Sequence, residues 1–382
     1  MAESLPNASR ELLAAARAHG GGCQLSVVSL NSAGAVANRW DLAVGLAQTP
    51  PRAMQGAPQD MTTCHLMDWQ STTKALTAVA AAVAHERRTV DVNAPVARYV
   101  PEFATHGKED VTLRDCLTHV AGIPFAGATL APETHTKEDI VRAICGAKPD
   151  NQPGEAACYH PYSSMYAVAE CVSRASGYSF DQFVRDNVVS PLGLTGNAFL
   201  AMTDDEFAEN EARLSELVAT SRLDDARGGL SRNEVVHGCP ASGLRATAAS
   251  VATLMACVCS GGQPILNKGT VELFTRAHRV GMRDELQGVD VDWSLGFAVD
   301  SVLGGAHAGR RSFGHGGAQS SFALADPESG VVIAFAATHK PGTSEHYARA
   351  IRIADAVFED LGRASSNADG AAAMARRPVP VC

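Results

Sequence analysis

Ser71-Thr72-Thr73-Lys74 places a hydroxyl and an amine three residues apart. On a helix the two side chains share one face and can meet without help from distant parts of the chain. Serine is a poor nucleophile until a base takes its proton. Lysine becomes such a base when desolvation lowers its pKa from about 10.4. The following run, Ala75 to Ala84, is apolar on nearly every face, which predicts a helix buried in a larger domain and carries Lys74 into a core. Of six lysines, against twenty-six arginines, Lys74 alone has a serine three residues before it. The competing reading is a buried helix whose serine caps its own start and whose lysine snorkels to solvent.

Acyl transfer through a serine also needs a group to protonate the leaving atom and amides to hold the oxyanion. Tyr162-Ser163-Ser164 follows Pro153-Gly154-Glu155 and precedes a helix, a turn that can point a phenol into a cleft. Tyr162 is therefore the expected proton shuttle, with Ser164 beside it as an expected substrate contact. His315-Gly316-Gly317-Ala318 precedes a strand, where two glycines permit close approach of a backbone or ligand. The Ala318 amide would face the substrate oxygen, with His315, Gly316 and Gly317 beside it. Taken alone, Tyr162 also fits a core or helix-start residue, and His315 a turn histidine. His19-Gly20-Gly21-Gly22 looks like the oxyanion turn of some lipases, yet no Gly-x-Ser-x-Gly nucleophile turn exists, so it reads as a flexible entry to the first strand. His119 and Trp69 read as structural.

The elements that must position these residues divide by region. Gln24–Leu30 and Trp40–Val44 alternate as antiparallel strands around a turn at 31–34, and strand character returns at Trp293–Val299, Ser321–Ala325 and Val331–Phe335. Ser344 would cap a closing helix with Ala348, Ile351, Ala354, Val357, Phe358 and Leu361 on its apolar face, stopped by Gly362. Between roughly 70 and 280 helical periodicity dominates, as at Thr136–Cys145, Tyr166–Arg174 and Ser250–Cys259. Thr203-Asp204-Asp205-Glu206 reads as a capped acidic first turn, continued by Phe207, Leu214, Leu217 and Val218. The prediction is one unit over 1–362: a sheet lobe from about 20–65 and 285–362, a helical lobe from about 66–284, and a loose tail over 363–382 rich in small residues and proline. Segments 125–160 and 200–240 are candidate lids.

At 382 residues and 46% hydrophobic, the chain can bury a large core. A net charge of −9 without a basic cluster excludes nucleic acid or an anionic membrane as the main partner and leaves a small molecule. The first ten residues lack a basic start followed by an apolar stretch, so the expected location is the cytoplasm. Ten scattered cysteines show no zinc-site spacing and read as free, mostly buried thiols; no metal or other cofactor is expected. Cys257 and Cys259 read as packing residues.

Ser71-x-x-Lys74, Tyr162-x-Ser164 and His315-Gly316-Gly317, in this order, resemble the serine β-lactamase and penicillin-binding-protein superfamily, and within it the class C β-lactamase-related branch. Leu117–Pro124, Pro191–Leu194 and Ala241–Leu244 look like that branch too, and the resemblance covers roughly residues 20–360. It implies an α+β fold, an α/β sandwich in which an antiparallel sheet from both chain ends is flanked by helices, with the site between sheet and helical lobe. It also implies a mechanism: Ser71 attacks a carbonyl, Lys74 and Tyr162 move protons, and the amides of Ser71 and Ala318 form the oxyanion hole. Penicillin-recognising members usually carry Lys-Thr-Gly at the third element and often Tyr-x-Asn at the second. His-Gly-Gly and Tyr-x-Ser here point instead to esterases and acyltransferases, acting on a small-molecule acyl donor and passing the acyl group to water or to an amine or hydroxyl acceptor in biosynthesis. The alternatives are a weak β-lactamase or D-amino peptidase, and a catalytically silent ligand-binding homologue.

Overall fold

A computed structural model describes residues 4–47, 59–130, 135–219, 232–375 and 377–380. Its centre is a seven-stranded antiparallel sheet made from the two ends of the chain. In chain order the strands are β1 (Gly22–Leu30), β2 (Val36–Gly45), β3 (Asp292–Trp293), β4 (Ala298–Val299), β5 (Phe313–Gly317), β6 (Ser321–Asp326) and β7 (Val331–Ala337). In space they run β2-β1-β7-β6-β5-β4-β3. β1 meets β7 from Cys23 opposite Ala337 to Ser29 opposite Val331, so the N-terminal hairpin is stitched to the C-terminal strands along its length.

Both faces of the central strands are covered, which is why β1, β6 and β7 are buried at every position. Successive side chains point to opposite faces, and two cores follow from that alternation. Leu25, Val27, Phe322, Leu324, Ile333 and Phe335 pack under helices α1 (Pro6–His19) and α5 (Thr343–Asp360). Val28, Ala323, Ala325, Ala334 and Ala336 face the helical lobe. The small residues on this second face let α4 (Ala248–Cys259) lie close on β1, β6 and β7. Within the lobe, α2 (Thr73–Glu86) is buried from Thr73 to Ala84, because its alanines let neighbours approach on every side. α3 (Ser163–Ser176) packs beside it. Among the described residues no helix is long and apolar enough to cross a membrane.

The strands from both chain ends, the helical lobe, the helix at Thr136–Cys145 and the capped turn at Thr203 agree with the sequence reading. Six expectations need correction. The strand read at Trp293–Val299 is two short strands, because Ser294–Phe297 turns back on itself through the Ser294 N–H to Phe297 carbonyl bond at 2.8 Å. His315-Gly316-Gly317 lies inside β5 rather than before a strand. The helix begun at Thr203 ends at Asn210, and Val218 lies in an extended pair with His339. α5 starts one residue before Ser344 without a side-chain cap, and its buried face is set by Ala350, Ile353, Ala354, Val357 and Phe358. His19 ends α1, a helix the sequence reading missed, with Gly20 in the left-handed conformation at φ +67° that closes a helix. The described part of the tail is not loose: α6 (Asn367–Ala375) and Arg377–Pro380 pack back onto the molecule.

Candidate active site

Ser71 lies in a single 3₁₀ turn, Gln70–Thr72, directly before α2. Trp69, fully buried, fixes the approach by donating its indole N–H to the Ala246 carbonyl at 2.9 Å. Gln70 adopts φ +46°, unusual for a residue with a side chain, and its N–H is held by the Asp68 carboxylate at 3.0 Å. Arg245 in turn sits 3.1 Å from Asp68, both largely shielded from solvent. The bend thus has a built support, and it presents Ser71 to the cavity while α2 carries Lys74 inward.

Lys74 is fully buried. Its Nζ lies 3.2 Å from Ser71 Oγ, 2.7 Å from the Pro161 carbonyl and 3.2 Å from the Ala241 carbonyl. Burial pushes its pKa down to about 7. The amine is therefore divided between charged and neutral forms near neutrality.

β5 reaches the same turn. The Thr72 hydroxyl donates to the His315 carbonyl at 3.3 Å and lies 3.0 Å from Ser321 Oγ, while Ser321 donates to the Trp69 carbonyl at 2.8 Å. Only glycine fits at 317: a β-carbon there would overlap the Trp69 carbonyl and Ser321 Oγ. Ala318 follows directly and lines the cavity with Ser71, His315, Gly316 and Gly317. His315 is buried, stacks edge-on with Trp293 at 5.4 Å and bonds the Gly316 carbonyl at 2.7 Å through Nδ1. Burial, then the nearby Lys74, hold its pKa at about 3, so it is a neutral imidazole.

Tyr159, not Tyr162, is the phenol at Ser71. Its hydroxyl interacts with the Ser71 side chain, short of a well-formed hydrogen bond, and its ring centroid is 5.0 Å from Lys74 Nζ. Burial raises its pKa, keeping the phenol protonated. Its position comes from distant parts of the chain. Asp284 accepts the Tyr159 N–H at 3.0 Å and pairs with buried Arg279 at 3.2 Å. His119, at φ +61°, accepts the His160 N–H at 3.1 Å and stacks on Tyr159 at 4.7 Å. Tyr162 lines the cavity from the N-cap of α3, and Ser164 is buried inside that helix, away from the cavity lining. Tyr159 and Tyr162 flank His160-Pro161, and local pattern does not separate them.

The cavity is about 420 Å³. Its outer walls are Leu286–Gln287, Asp290–Trp293, Asp300–Leu303, Tyr347, and Pro378 with Pro380. Apart from Tyr159, the described residues of 125–160 and 200–240, the candidate lids, do not line it; residues 131–134 and 220–231 lie outside the described residues.

A family model described as Beta-lactamase matches residues 33–358. The Esterase/beta-lactamase LipL of Mycobacterium tuberculosis (strain ATCC 25618 / H37Rv) is 26% identical over 306 residues, 70% of this chain and 68% of that protein. A crystal structure of a family VIII carboxylesterase superposes with TM-score 0.78 at 24% identity, covering 94% of this chain and 99% of that one. The structure of EstCE1, described as a hydrolase with promiscuous acyltransferase activity, gives TM-score 0.73 at 20% identity over 93% and 98%.

Proposed function

The chain belongs to the β-lactamase family, and from that premise we propose a serine acyl-transferring enzyme that forms an ester on Ser71 from a small-molecule ester or amide. The observation that carries this is a buried lysine, its pKa lowered to about 7, 3.2 Å from the serine hydroxyl. When neutral, Lys74 keeps two N–H bonds for the Pro161 and Ala241 carbonyls and turns its lone pair to Ser71. Ser71 Oγ then adds to the substrate carbonyl as its proton passes to Lys74. The amides of Ser71 and Ala318 hold the oxyanion; losing one such donor typically costs about 10²–10³ in rate. Tyr159, facing both Ser71 and Lys74, returns the proton to the departing alkoxide or amine. The second half reverses these transfers with water, or with an alcohol or amine, as acceptor.

Ester chemistry is favoured over β-lactam or D-amino peptide chemistry because His315, neutral where penicillin-recognising relatives carry a lysine, offers no fixed cation to a substrate carboxylate. The names of the relatives, a carboxylesterase and a hydrolase with promiscuous acyltransferase activity, agree with this reading and with transfer as a second outcome of the same intermediate. A silent binding protein would have no use for a desolvated lysine on a hydroxyl. The test is intact-mass spectrometry after incubation with a short activated ester or a fluorophosphonate. An adduct on wild type and none on Ser71→Ala is expected; an unmodified, folded wild type would reject the proposal.

A further inference from the structure

Residues 363–382 have a composition that predicts no order, yet Arg377 is among the most buried side chains described. A buried guanidinium is costly unless its donors find acceptors and its charge a partner. Arg377 Nε donates to Asp300 Oδ1 at 2.7 Å, and Nη2 lies 2.6 Å from the same oxygen. Nη1 donates to the Gly305 carbonyl, and Nη2 also to the carbonyls of Ala308 at 2.6 Å and Gly309 at 3.3 Å. This one side chain therefore clamps the loop 300–309. From the other side Asp355 of α5 holds the same loop, accepting the Ala306 N–H at 2.6 Å. Asp300 sits at φ +48°, a strained setting that persists only where its surroundings enforce it.

The clamped loop and the segment beyond the clamp both face the cavity that holds Ser71. Ser301, Val302 and Leu303 line it from the loop, and Pro378 and Pro380 line it from the tail. Two prolines among three residues fix their own φ angles, so this strap has little freedom to yield to a ligand. A rigid, anchored wall of this kind limits the size of what can lie against it. We infer that Arg377–Pro380 is a specificity-determining wall of the cavity that limits the length of the acyl group accepted. The prolines supply the wall, and Arg377 is a positioning residue that acts through them. The inference rests on Ser71 being the acylated nucleophile.

The experiment labels the full chain with alkyl fluorophosphonates from ethyl to dodecyl and follows the loss of unmodified mass with time. Two variants are compared with wild type: Arg377→Met, which keeps bulk and removes the clamp, and the pair Pro378→Gly with Pro380→Gly, which keeps the clamp and softens the wall. The dodecyl-to-ethyl ratio of labelling rates is expected to rise about tenfold or more in each, the scale at which an apolar pocket discriminates by size. A ratio equal to wild type in variants that melt cooperatively would overturn the inference. So would an equal fall at every chain length, which would mean that the strap only supports the fold. Should Arg377→Met fail to fold, the glycine pair decides. Wild type unlabelled at every length would reject the reading of Ser71, and the inference with it.

Discussion

At the scale of single residues, the site depends on which groups are desolvated together. Ser71 and Lys74 were legible because their geometry is local: three residues of helix bring them together whatever surrounds them. The tyrosine was not, since Tyr159 and Tyr162 both precede the same helix and only the Asp284 and His119 contacts decide which one faces Ser71. Tyr159→Phe is expected to lower kcat by about 10²–10⁴, as for loss of a general acid or base, whereas Tyr162→Phe should stay within about tenfold. The same kinetics should carry the signature of Lys74. Its lowered pKa means that the neutral amine accumulates as pH rises through about 7, so kcat/KM should climb between about pH 6 and 8 and then level. In Lys74→Arg, which stays charged, both the rate and that step should be lost.

At the scale of elements, the site is the contact between one turn and one strand. Gly316 and Gly317 were read as permitting close approach, and they occupy different environments. At 317 a β-carbon would overlap the Trp69 backbone, which cannot rotate away, and approach Thr72 Oγ1 to 3.0 Å; at 316 it would meet only Leu303 Cδ1 at 3.5 Å. Gly317→Ala should therefore push β5 off the Ser71 turn and cost about 10² in kcat/KM, the scale expected of an ångström's displacement. Gly316→Ala should cost less than about tenfold. Steady-state kinetics on both variants checks the contrast, and equal losses would show that the strand does not set the position of the turn. The supporting bend at Gln70, with Asp68 and Arg245 behind it, had no local signal, because its partners lie far apart in the chain.

At the scale of the whole molecule, the sheet exists only when the two chain ends meet, since β1 is paired with β7 on one side and β2 on the other. α1 joins the ends a second time. Its start has no cap of its own, and Asp360 at the end of α5 accepts the N–H groups of Asn7 at 3.2 Å and Ala8 at 2.9 Å. Asp360→Ala should cost about 1 kcal/mol, as for loss of a helix cap, and lower Tm by about 1–3 °C without changing kcat. Calorimetry and kinetics on one preparation measure both; an unchanged Tm would mean that water replaces the cap.

By itself the sequence determined the features that depend on neighbours along the chain: the serine and lysine on one helical face, the period-2 strands at both ends, the helices between them, and the glycines that must lie against something. The tertiary structure alone decided what depends on long-range pairing. It chose the tyrosine, made His315 a neutral group by burying it, and drew the tail into the cavity through Arg377. The division has a physical basis. Backbone period and side-chain reach are set within a few residues, whereas burial, and the pKa shifts and wall contacts that follow from it, depend on what the rest of the fold places alongside.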